Sequence, residues 1–328
     1  MRLIWAGLAV AGLYSGYWLA GTTVLERGAA MALEGARAEG RGNAEALETG
    51  GFPARFALNV TRPELADPVA GWHWSAPSAQ LWAPGWSPLE LHLDMHPESQ
   101  LTLGGQRFTL TNSTGSGRLS LGLAPDLPLK GVQAELRYVA LRPEGSAEAT
   151  LAAARIDAAA ERTDAPATYR VTAGVGDVTL PPGTMADALG APLPDRIDAL
   201  TLDATLRLDA DLSATAQTTP PRIEEIDLQA LSLDWAGRGL SASGGLRITA
   251  TGQPEGTIQI STAEWRDWLD IAVAAGWIEA RRLPALTGLG AYIAQQNGGV
   301  LRVPLAFQSG RASLGPVPLG PAPVLQRQ

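Results

Sequence analysis

The chain has 328 residues, of which 45% are hydrophobic and 18% are charged, enough apolar material for one or two folded cores. Its formal net charge is -8, its pI is about 5.0 and Lys130 is its single lysine, which excludes nucleic-acid binding as an expected role because such binding depends on basic contacts to phosphates. The absence of cysteine excludes disulfides, thiolate zinc sites and cysteine nucleophiles.

A long uncharged segment follows Arg2. Leu3–Leu25 contains 23 residues without a charge. As a helix they would extend about 34 Å at ~1.5 Å per residue, enough to cross a hydrocarbon core of ~30 Å. The segment predicts one transmembrane helix that acts as a signal anchor, since no small-residue cleavage site precedes Glu26; a cleaved signal peptide and a buried helix of a soluble protein are the alternatives. Arg2 favours an inside start, which places residues 26–328 outside the cytoplasm.

A membrane-proximal helix is predicted at residues 26–48, which are rich in Ala, Glu and Arg but contain several helix-weakening glycines. The stretch "TGGFPARF", residues 49–56, then ends the helical pattern. We expect residues 49–328 to form one extracytoplasmic β-rich domain.

Alternating apolar and polar residues predict β-strands along most of this domain. The clearest case is "LDATLRLDADL", residues 202–212, and similar patterns cover residues 89–95, 108–110, 119–123, 246–250 and 301–307. The apolar phase shifts by one residue at Tyr138–Val139 and again at Ala230–Leu231, which predicts a bulge or sharp bend at each point. Pro304 predicts that its strand is an edge. Together these patterns predict a mainly β, α+β fold with a curved, twisted antiparallel sheet.

Helical periodicity returns near the carboxy terminus. Residues 262–280 follow Ser261 and Glu264, which have capping-box spacing, and a second helix is predicted at residues 285–296 after Pro284. We expect this helical pair to cover one end of the sheet, because a one-sided antiparallel sheet must bury its apolar face.

No group of residues predicts catalysis or metal binding. His92, Asp94 and His96 share one strand face, but neighbours on that face are ~6.5–7 Å apart and lie opposite an apolar face. The acids of "LDADLS" lack the glycine of a calcium loop. No nucleophile elbow, phosphate-binding loop, dinucleotide fingerprint or zinc-protease motif occurs in the sequence. We therefore expect no enzymatic activity, no cofactor and no bound metal.

Tryptophans are the candidate site residues, since four of the ten lie within "GWHWSAPSAQLWAPGWSP". Alternation places Trp72 and Trp74 on one strand face, while Trp82 and Trp86 flank a turn. Such side chains fill a core, line a groove for an apolar ligand, or contact a sugar or a partner, and the sequence leaves these readings open. The candidates for core or groove lining are Trp72, Trp74, Trp82, Trp86, Trp235, Trp265 and Trp268.

Several segments resemble a bacterial cell-envelope family, domain of unknown function 2125. The resemblance is carried by "GFPARF" (51–56), "LADPVAGWHWSAPSAQLWAPGWSP" (65–88), "GQRFTLT" (105–111) and "SGRASLGPVPLGPAP" (309–323). It implies an anchored, envelope-facing protein without an assigned activity. More loosely, "IEEIDLQALSLDW" (223–235) and the segment at residues 239–261 are similar to strand-turn-strand units of AsmA-like envelope proteins. That similarity implies a curved sheet around an apolar groove that holds lipid.

The function expected from these features is that of a non-enzymatic, single-pass protein of the bacterial inner membrane, with its body in the periplasm. Its expected partners are the membrane, through residues 3–25, and a lipid or other apolar ligand in the groove of the sheet. The alternative is a structural or interaction protein with a filled core that tethers or scaffolds an envelope complex. No protein partner can be identified from the sequence.

Overall fold

The computed structural model describes residues 2–146, 151–190, 194–213 and 221–325; within helices it leaves out the side chains of residues 2–16, 19, 20, 24, 188 and 189. The chain is mainly β and divides into two compact units, where the sequence pattern predicted a single β-rich domain at 49–328. The amino-terminal unit comprises Met1–Pro125 and Lys130–Ala149, and the carboxy-terminal unit comprises Asp126–Leu129 and Thr150–Gln328.

One long helix and a series of short strands form the amino-terminal unit. The elements are α1 (Arg2–Ala38), β1 (Gly42–Asn43), β2 (Ala46–Gly50), β3 (Arg55–Thr61), β4 (Glu64–Asp67), β5 (Trp72–Ser75), β6 (Ser78–Pro84), β7 (Glu90–Met95), β8 (Glu98–Leu103), β9 (Gln106–Thr111), β10 (Thr114–Leu121) and β11 (Leu129–Pro143). All pairings between these strands are antiparallel.

Consecutive short strands are the two halves of longer, bent strands. β3 continues into β4 and β5 into β6, and each half pairs with a different neighbour: β3 with β6, and β4 with β5. The bends fall at Arg62–Pro63 and Ala76–Pro77, where proline removes a ladder donor. Backbone bonds still cross the bend, because Arg62 N donates to Pro77 O at 3.0 Å and Ala76 N to Pro63 O at 3.1 Å. The strands change direction at the bends, but the backbone hydrogen bonding of the sheet continues across them.

The phase change predicted at Tyr138–Val139 is confirmed as a local distortion of β11. Tyr138 has a φ of 47°, in the left-handed region, and its side chain is exposed, whereas the next residue, Val139, is buried. A residue in this conformation redirects the strand, so the apolar phase can shift by one residue.

The helix predicted to extend to residue 48 is shorter than expected. α1 ends at Ala38, since Gly40 takes a φ of 67° and Arg41 N donates to Ala36 O at 2.8 Å, a typical glycine-terminated helix end. β1 and β2 occupy the rest of the predicted helix, because residues 42–50 find partners on β4 and β3.

The side chains that the structure describes within helices form no stretch both long and apolar enough to cross a bilayer. The predicted span at residues 3–25 falls largely on side chains outside the described part. Its described side chains are those of residues 17, 18, 21–23 and 25: Tyr17 Oη donates to Gly85 O at 3.0 Å, Trp18 Nε1 donates to Arg55 O at 3.1 Å, and Thr22 is buried. This part of α1 is docked on the sheet of the amino-terminal unit.

The carboxy-terminal unit is an antiparallel meander in which nine strands are described, with helices between some of them. Its elements are β12 (Leu151–Arg162), β13 (Thr168–Thr179), α2 (Thr184–Leu189), β14 (Arg196–Leu208), β15 (Ile223–Trp235), β16 (Arg238–Ile248), β17 (Pro254–Thr262), α3 (Trp265–Ala274), α4 (Leu283–Gln296), β18 (Leu301–Gln308), β19 (Arg311–Leu314) and β20 (Val317–Pro321). Each strand from β12 to β20 pairs antiparallel with the next.

The second predicted phase change is also confirmed. On β15, Ala230 pairs with Asp203 and Leu228 with Ala204, so the register skips Gln229 as a bulge. The bulge keeps Leu228 and Leu231 on the same apolar face although they are three residues apart.

Two strand predictions are wrong. β14 ends at Leu208 rather than continuing to Leu212; beyond its end, Asp209 N donates to Arg222 O at 2.9 Å and the Asp209 carboxylate accepts a bond from Arg222 N at 2.8 Å. Pro304 does not mark an edge, since β18 pairs with both β17 and β19. Its missing N–H is tolerated because the β19 register ends at the adjacent residue, Leu305.

The sheet of the carboxy-terminal unit has one apolar and one polar face. Ion pairs lie on the polar face, where Arg170 binds Asp203 through Nε and Nη2 at 2.9 and 2.6 Å. The Arg170 guanidinium lowers the pKa of the Asp203 carboxyl. On the other face Tyr169 is fully buried, and this burial raises the pKa of its hydroxyl. The two faces therefore have opposite polarity, as the alternation predicted.

Candidate functional site

An apolar groove of about 470 Å³ lies on the apolar face of the carboxy-terminal unit. Among the described residues, its lining consists of apolar side chains from six successive strands. They are Val171 on β13, Leu202, Ala204 and Leu206 on β14, Ile226, Leu228 and Leu231 on β15, Leu240, Ala242 and Leu246 on β16, Ile258 and Ile260 on β17, and Leu305 and Phe307 on β18. We call this set the apolar groove.

The register of the sheet builds the groove from straight cross-strand rows. One row runs Val171–Ala204–Leu228–Gly244–Ile258–Leu305, and the next runs Ala173–Leu202–Leu231–Ala242–Ile260–Val303. Directly opposite residues share a face, so the side chains of each row, five in the first and six in the second, lie on one side of the sheet. Small residues in the middle of each row, Ala204, Gly244 and Ala242, leave space between the larger ones.

Most of the groove lining is only half-buried. Ala204, Ala242, Ile258 and Phe307 are buried, whereas the other lining side chains keep part of their surface open. Burial of apolar surface is favourable by roughly 25 cal/mol per Å². An apolar ligand in the groove would therefore bind favourably, because it would bury apolar surface that the protein's own side chains do not cover.

The predicted helical pair is present, but its first helix, α3, is shorter than the predicted 262–280, and its N-cap, Glu264, makes no side-chain capping bond. α3 packs at one end of the sheet. α3 follows directly on β17, and Trp268 Nε1 donates to Gly239 O at 3.4 Å. Trp235 lies 5.9 Å from Trp268 between ring centroids and donates its Nε1–H to Pro194 O at 2.8 Å. Trp265 is almost fully buried against Gly290 of α4.

These three tryptophans thus form the junction between the helices and the sheet. Trp235 and Trp265 are core residues, and Trp268 is half-buried beside them. Among the described residues, none of the three belongs to the groove lining. The junction lies at the end of the sheet where β15 and β17 end and β16 begins.

The four candidate tryptophans of the amino-terminal unit, at positions 72, 74, 82 and 86, occupy different surroundings. Trp72 and Trp74 lie on one face of β5, opposite Leu103 and Leu101 of β8, and both are half-buried. Trp86 is exposed in the turn after β6. The cluster seen in the sequence is therefore not one site.

Trp82, on β6, contacts polar side chains of the neighbouring strands. Its ring stacks on His92 with centroids 4.1 Å apart, and the Arg55 guanidinium lies 5.5 Å from the ring centroid. Trp82 Nε1 also donates to Asp94 at 2.8 Å. His96, the third residue of the possible metal triad, instead receives a bond from Glu98 N at 3.1 Å. In the described part of the chain, no group of three or more potential metal ligands converges.

A second apolar pocket, of about 410 Å³, lies between α1 and the sheet of the amino-terminal unit. α1 contributes Tyr17, Gly21 and Leu25, and the strands contribute Phe56 and Trp82 among others. Gly21 allows the close approach, since a Cβ at this position would lie 2.5 Å from the Phe56 ring. Here the protein's own helix covers part of an apolar sheet face.

The groove residues carried a signal in the sequence, but that signal was not specific. Leu202, Leu206 and Leu228 belong to the alternation that predicts strands, yet any one-sided sheet has the same pattern. A groove is defined by the cross-strand register and by the absence of another element packed over the apolar face. Neither feature can be predicted from the sequence of a single strand. The sequence prediction emphasised tryptophans, whereas aliphatic side chains and Phe307 form the groove.

Comparison with known proteins gives one match. No curated protein and no solved structure matches the chain, so the looser similarity to AsmA-like proteins stays a prediction. A sequence model of domain of unknown function 2125, described as "uncharacterized protein conserved in bacteria", matches residues 18–323. This span covers most of both units and every residue of the apolar groove, and the chain belongs to this bacterial family.

Proposed function

We propose that the protein is a non-enzymatic cell-envelope protein that holds the acyl chain of a lipid in the apolar groove. The observation that carries the proposal is a lining without a polar or charged side chain among the described residues. A pocket of several hundred Å³ lined by apolar residues is the usual form of a small-ligand site.

The dimensions of the groove suit an acyl chain. It crosses six strands, and five spacings of ~4.8 Å give a path of about 24 Å along the sheet. An acyl chain of one leaflet extends about 15 Å, half of a ~30 Å hydrocarbon core. One chain therefore fits lengthwise, across the strands.

The chemistry of the lining supports a binding role rather than catalysis. No residue of the groove can act as a nucleophile, an acid or a base. Interactions with a ligand would be dispersion and the hydrophobic effect, which are non-directional. We therefore expect selection for apolar chains by length and bulk, with little dependence on the headgroup.

The proposed location is the bacterial inner membrane, with both units in the periplasm. The uncharged run at Leu3–Leu25 supports a tether, and Arg2 supports an inside start. Through the tether, the groove would stay close to a membrane from which a lipid can enter.

The experiment compares two substitutions at adjacent positions on opposite faces of β15. Leu231→Glu places a carboxylate in the groove, whereas Ser232→Glu places it on the exposed polar face. The full chain is purified in mild detergent, and bound lipid is measured by native mass spectrometry and by extraction. An unpaired polar group in an apolar site costs roughly 1–3 kcal/mol, so we expect about a tenfold or greater loss of bound lipid for L231E and none for S232E.

A second variant removes space without adding charge. Leu228→Trp adds bulk opposite Ala204 and Gly244, where the row has room, and it should also reduce bound lipid. Circular dichroism and thermal unfolding verify that each variant is folded. Lipid retained by folded L231E and L228W, or a wild-type protein that carries none, contradicts the proposal.

The alternative function, a scaffold for an envelope complex, is supported by the surface of α4. This helix has no charged residue, and it exposes Leu289 and Tyr292. An apolar exposed face is a common feature of a protein interface. A wild-type protein without lipid, but crosslinked in cells through position 292 to a protein, would favour this function.

A further inference from the structure

An exposed apolar cluster surrounds the place where α1 docks on the amino-terminal unit. The exposed fractions are 46% for Tyr17, 55% for Phe52, 81% for Trp86 and 91% for Leu123. Trp18 joins the cluster, with its ring centroid 5.2 Å from that of Phe52. We call these five residues the apolar collar.

Backbone contacts hold the parts of the collar together. Tyr17 Oη donates to Gly85 O at 3.0 Å, and Gly85 N donates to Ala54 O at 3.0 Å. Leu121 N donates to Leu89 O at 3.0 Å, so the chain leading to Leu123 starts beside the same loop. Three loops and one turn of α1 therefore form one end of the amino-terminal unit.

The two loops next to α1 contain no charged residue. Gly51–Ala54 reads "GFPA" and Gly85–Leu89 reads "GWSPL". The turn after β4, residues 68–71, lies at the other end of the bent strands, next to Asp67, whose carboxylate accepts bonds from the Val69 and Ala70 amides at 2.9 Å. These two loops can therefore leave water without desolvating a charged side chain of their own.

The docking of α1 shortens the part of the helix that remains for a membrane. From Tyr17 onward the helix contacts the sheet, and Thr22 is buried. The uncharged run between Arg2 and Tyr17 contains 14 residues, about 21 Å at ~1.5 Å per residue. A hydrocarbon core is ~30 Å thick, so this run alone is about 9 Å too short.

We infer that the apolar collar lies in the membrane interface and draws the end of the amino-terminal unit into the lipid headgroup region. The inference rests on the tether in the proposed function. Tryptophan and tyrosine concentrate at this depth, and apolar surfaces there enter ~5–10 Å, which matches the missing length. The exposure of Trp86 and Leu123 is then the exposure of a surface that meets lipid.

The absence of cysteine allows a direct test with single spin labels. Trp86→Cys and Ala54→Cys place a nitroxide in the collar loops, at exposed side chains. Val69→Cys, at a position 97% exposed in the turn after β4, is the matched control. The full chain is reconstituted in phosphatidylcholine–phosphatidylglycerol vesicles, and collision rates are measured with oxygen and with an aqueous nickel chelate.

We expect labels at 86 and 54 to collide several-fold less with the nickel chelate and more with oxygen than the label at 69. Flotation of the vesicles separates the two proposals. Protein that does not float overturns the tether and the collar together. Protein that floats with labels at 86 and 54 as accessible to nickel as the label at 69 overturns the collar alone, and lipid in the groove is measured independently of both.

Discussion

Gly244 and Gly256 permit a close approach of β16 and β17 beneath the apolar groove. Their φ angles are 146° and 139°, which side chains other than glycine rarely adopt. A Cβ on Gly244 would lie 2.3 Å from Thr257 O, and one on Gly256 would lie 2.3 Å from Gly245 O. Both residues belong to rows that cross the groove, so their lack of a side chain also leaves space in its floor.

Substitution of Gly244 should therefore destabilise the carboxy-terminal unit. We expect Gly244→Ala to cost about 2–4 kcal/mol, through backbone strain and the contact with Thr257 O. Gly245→Ala is the control, since its Cβ would meet no atom within 4 Å. Thermal and urea unfolding of the full chain measure the difference, and equal effects of the two substitutions would show that the conformation of Gly244 is not required.

Single residues illustrate what alternation can and cannot predict. It placed Trp72 and Trp74 on one strand face, as the structure has them. It could not place Trp82 beside His92, because that contact depends on the pairing of β6 with β7. Nor could it separate a core tryptophan such as Trp265 from a groove residue, since both are apolar and differ only in what covers them.

At the scale of elements, the two apolar phase changes were the most informative signals. A shift of one residue cannot keep an apolar face buried unless the backbone adjusts, and the adjustments occur at Tyr138 and Gln229. The bends at Arg62–Pro63 and Ala76–Pro77 had weaker signals, because proline fits several kinds of turn. The helical pair was predictable from its 3.6-residue period, whereas the end of α1 depended on one glycine, Gly40.

α1 shows why an apolar segment does not by itself reveal what surrounds it. Leu25 and Tyr17 contribute to an apolar surface that could face lipid or protein, and here both line a pocket against the sheet. The contact depends on Gly21, whose missing side chain makes room for Phe56. Hydropathy could not show this, since glycine is neutral in such scales.

Gly21→Leu should weaken the docking of α1. The added side chain would overlap the Phe56 ring, and overpacking of this kind costs about 1–3 kcal/mol. We expect faster hydrogen exchange in the described part of α1 and in β3, measured by mass spectrometry on the full chain. Gly28→Leu, in the same helix with no atom within 4 Å of its Cβ, is the control. Unchanged exchange in G21L would contradict the close helix–sheet contact.

At the scale of the whole molecule, each unit has an apolar sheet face, and helices of the same unit pack against part of its sheet. In the amino-terminal unit α1 covers part of that face and leaves a pocket. In the carboxy-terminal unit α3 and α4 pack at one end, and the groove remains half-open. The division into two units was not predictable, because strand patterns continue on both sides of it and record no long-range contacts.

The central claim is that the apolar groove holds an acyl chain, and photocrosslinking tests it most directly. The full chain is purified from cells supplied with a diazirine-bearing fatty acid, irradiated, and digested for peptide mass spectrometry. We predict adducts on β14 to β17, at groove residues such as Leu202, Leu228 and Ile258, and their loss in L231E but not in S232E. Adducts confined to α1 and the collar loops, or an unmodified groove in protein that carries the probe elsewhere, would contradict the claim.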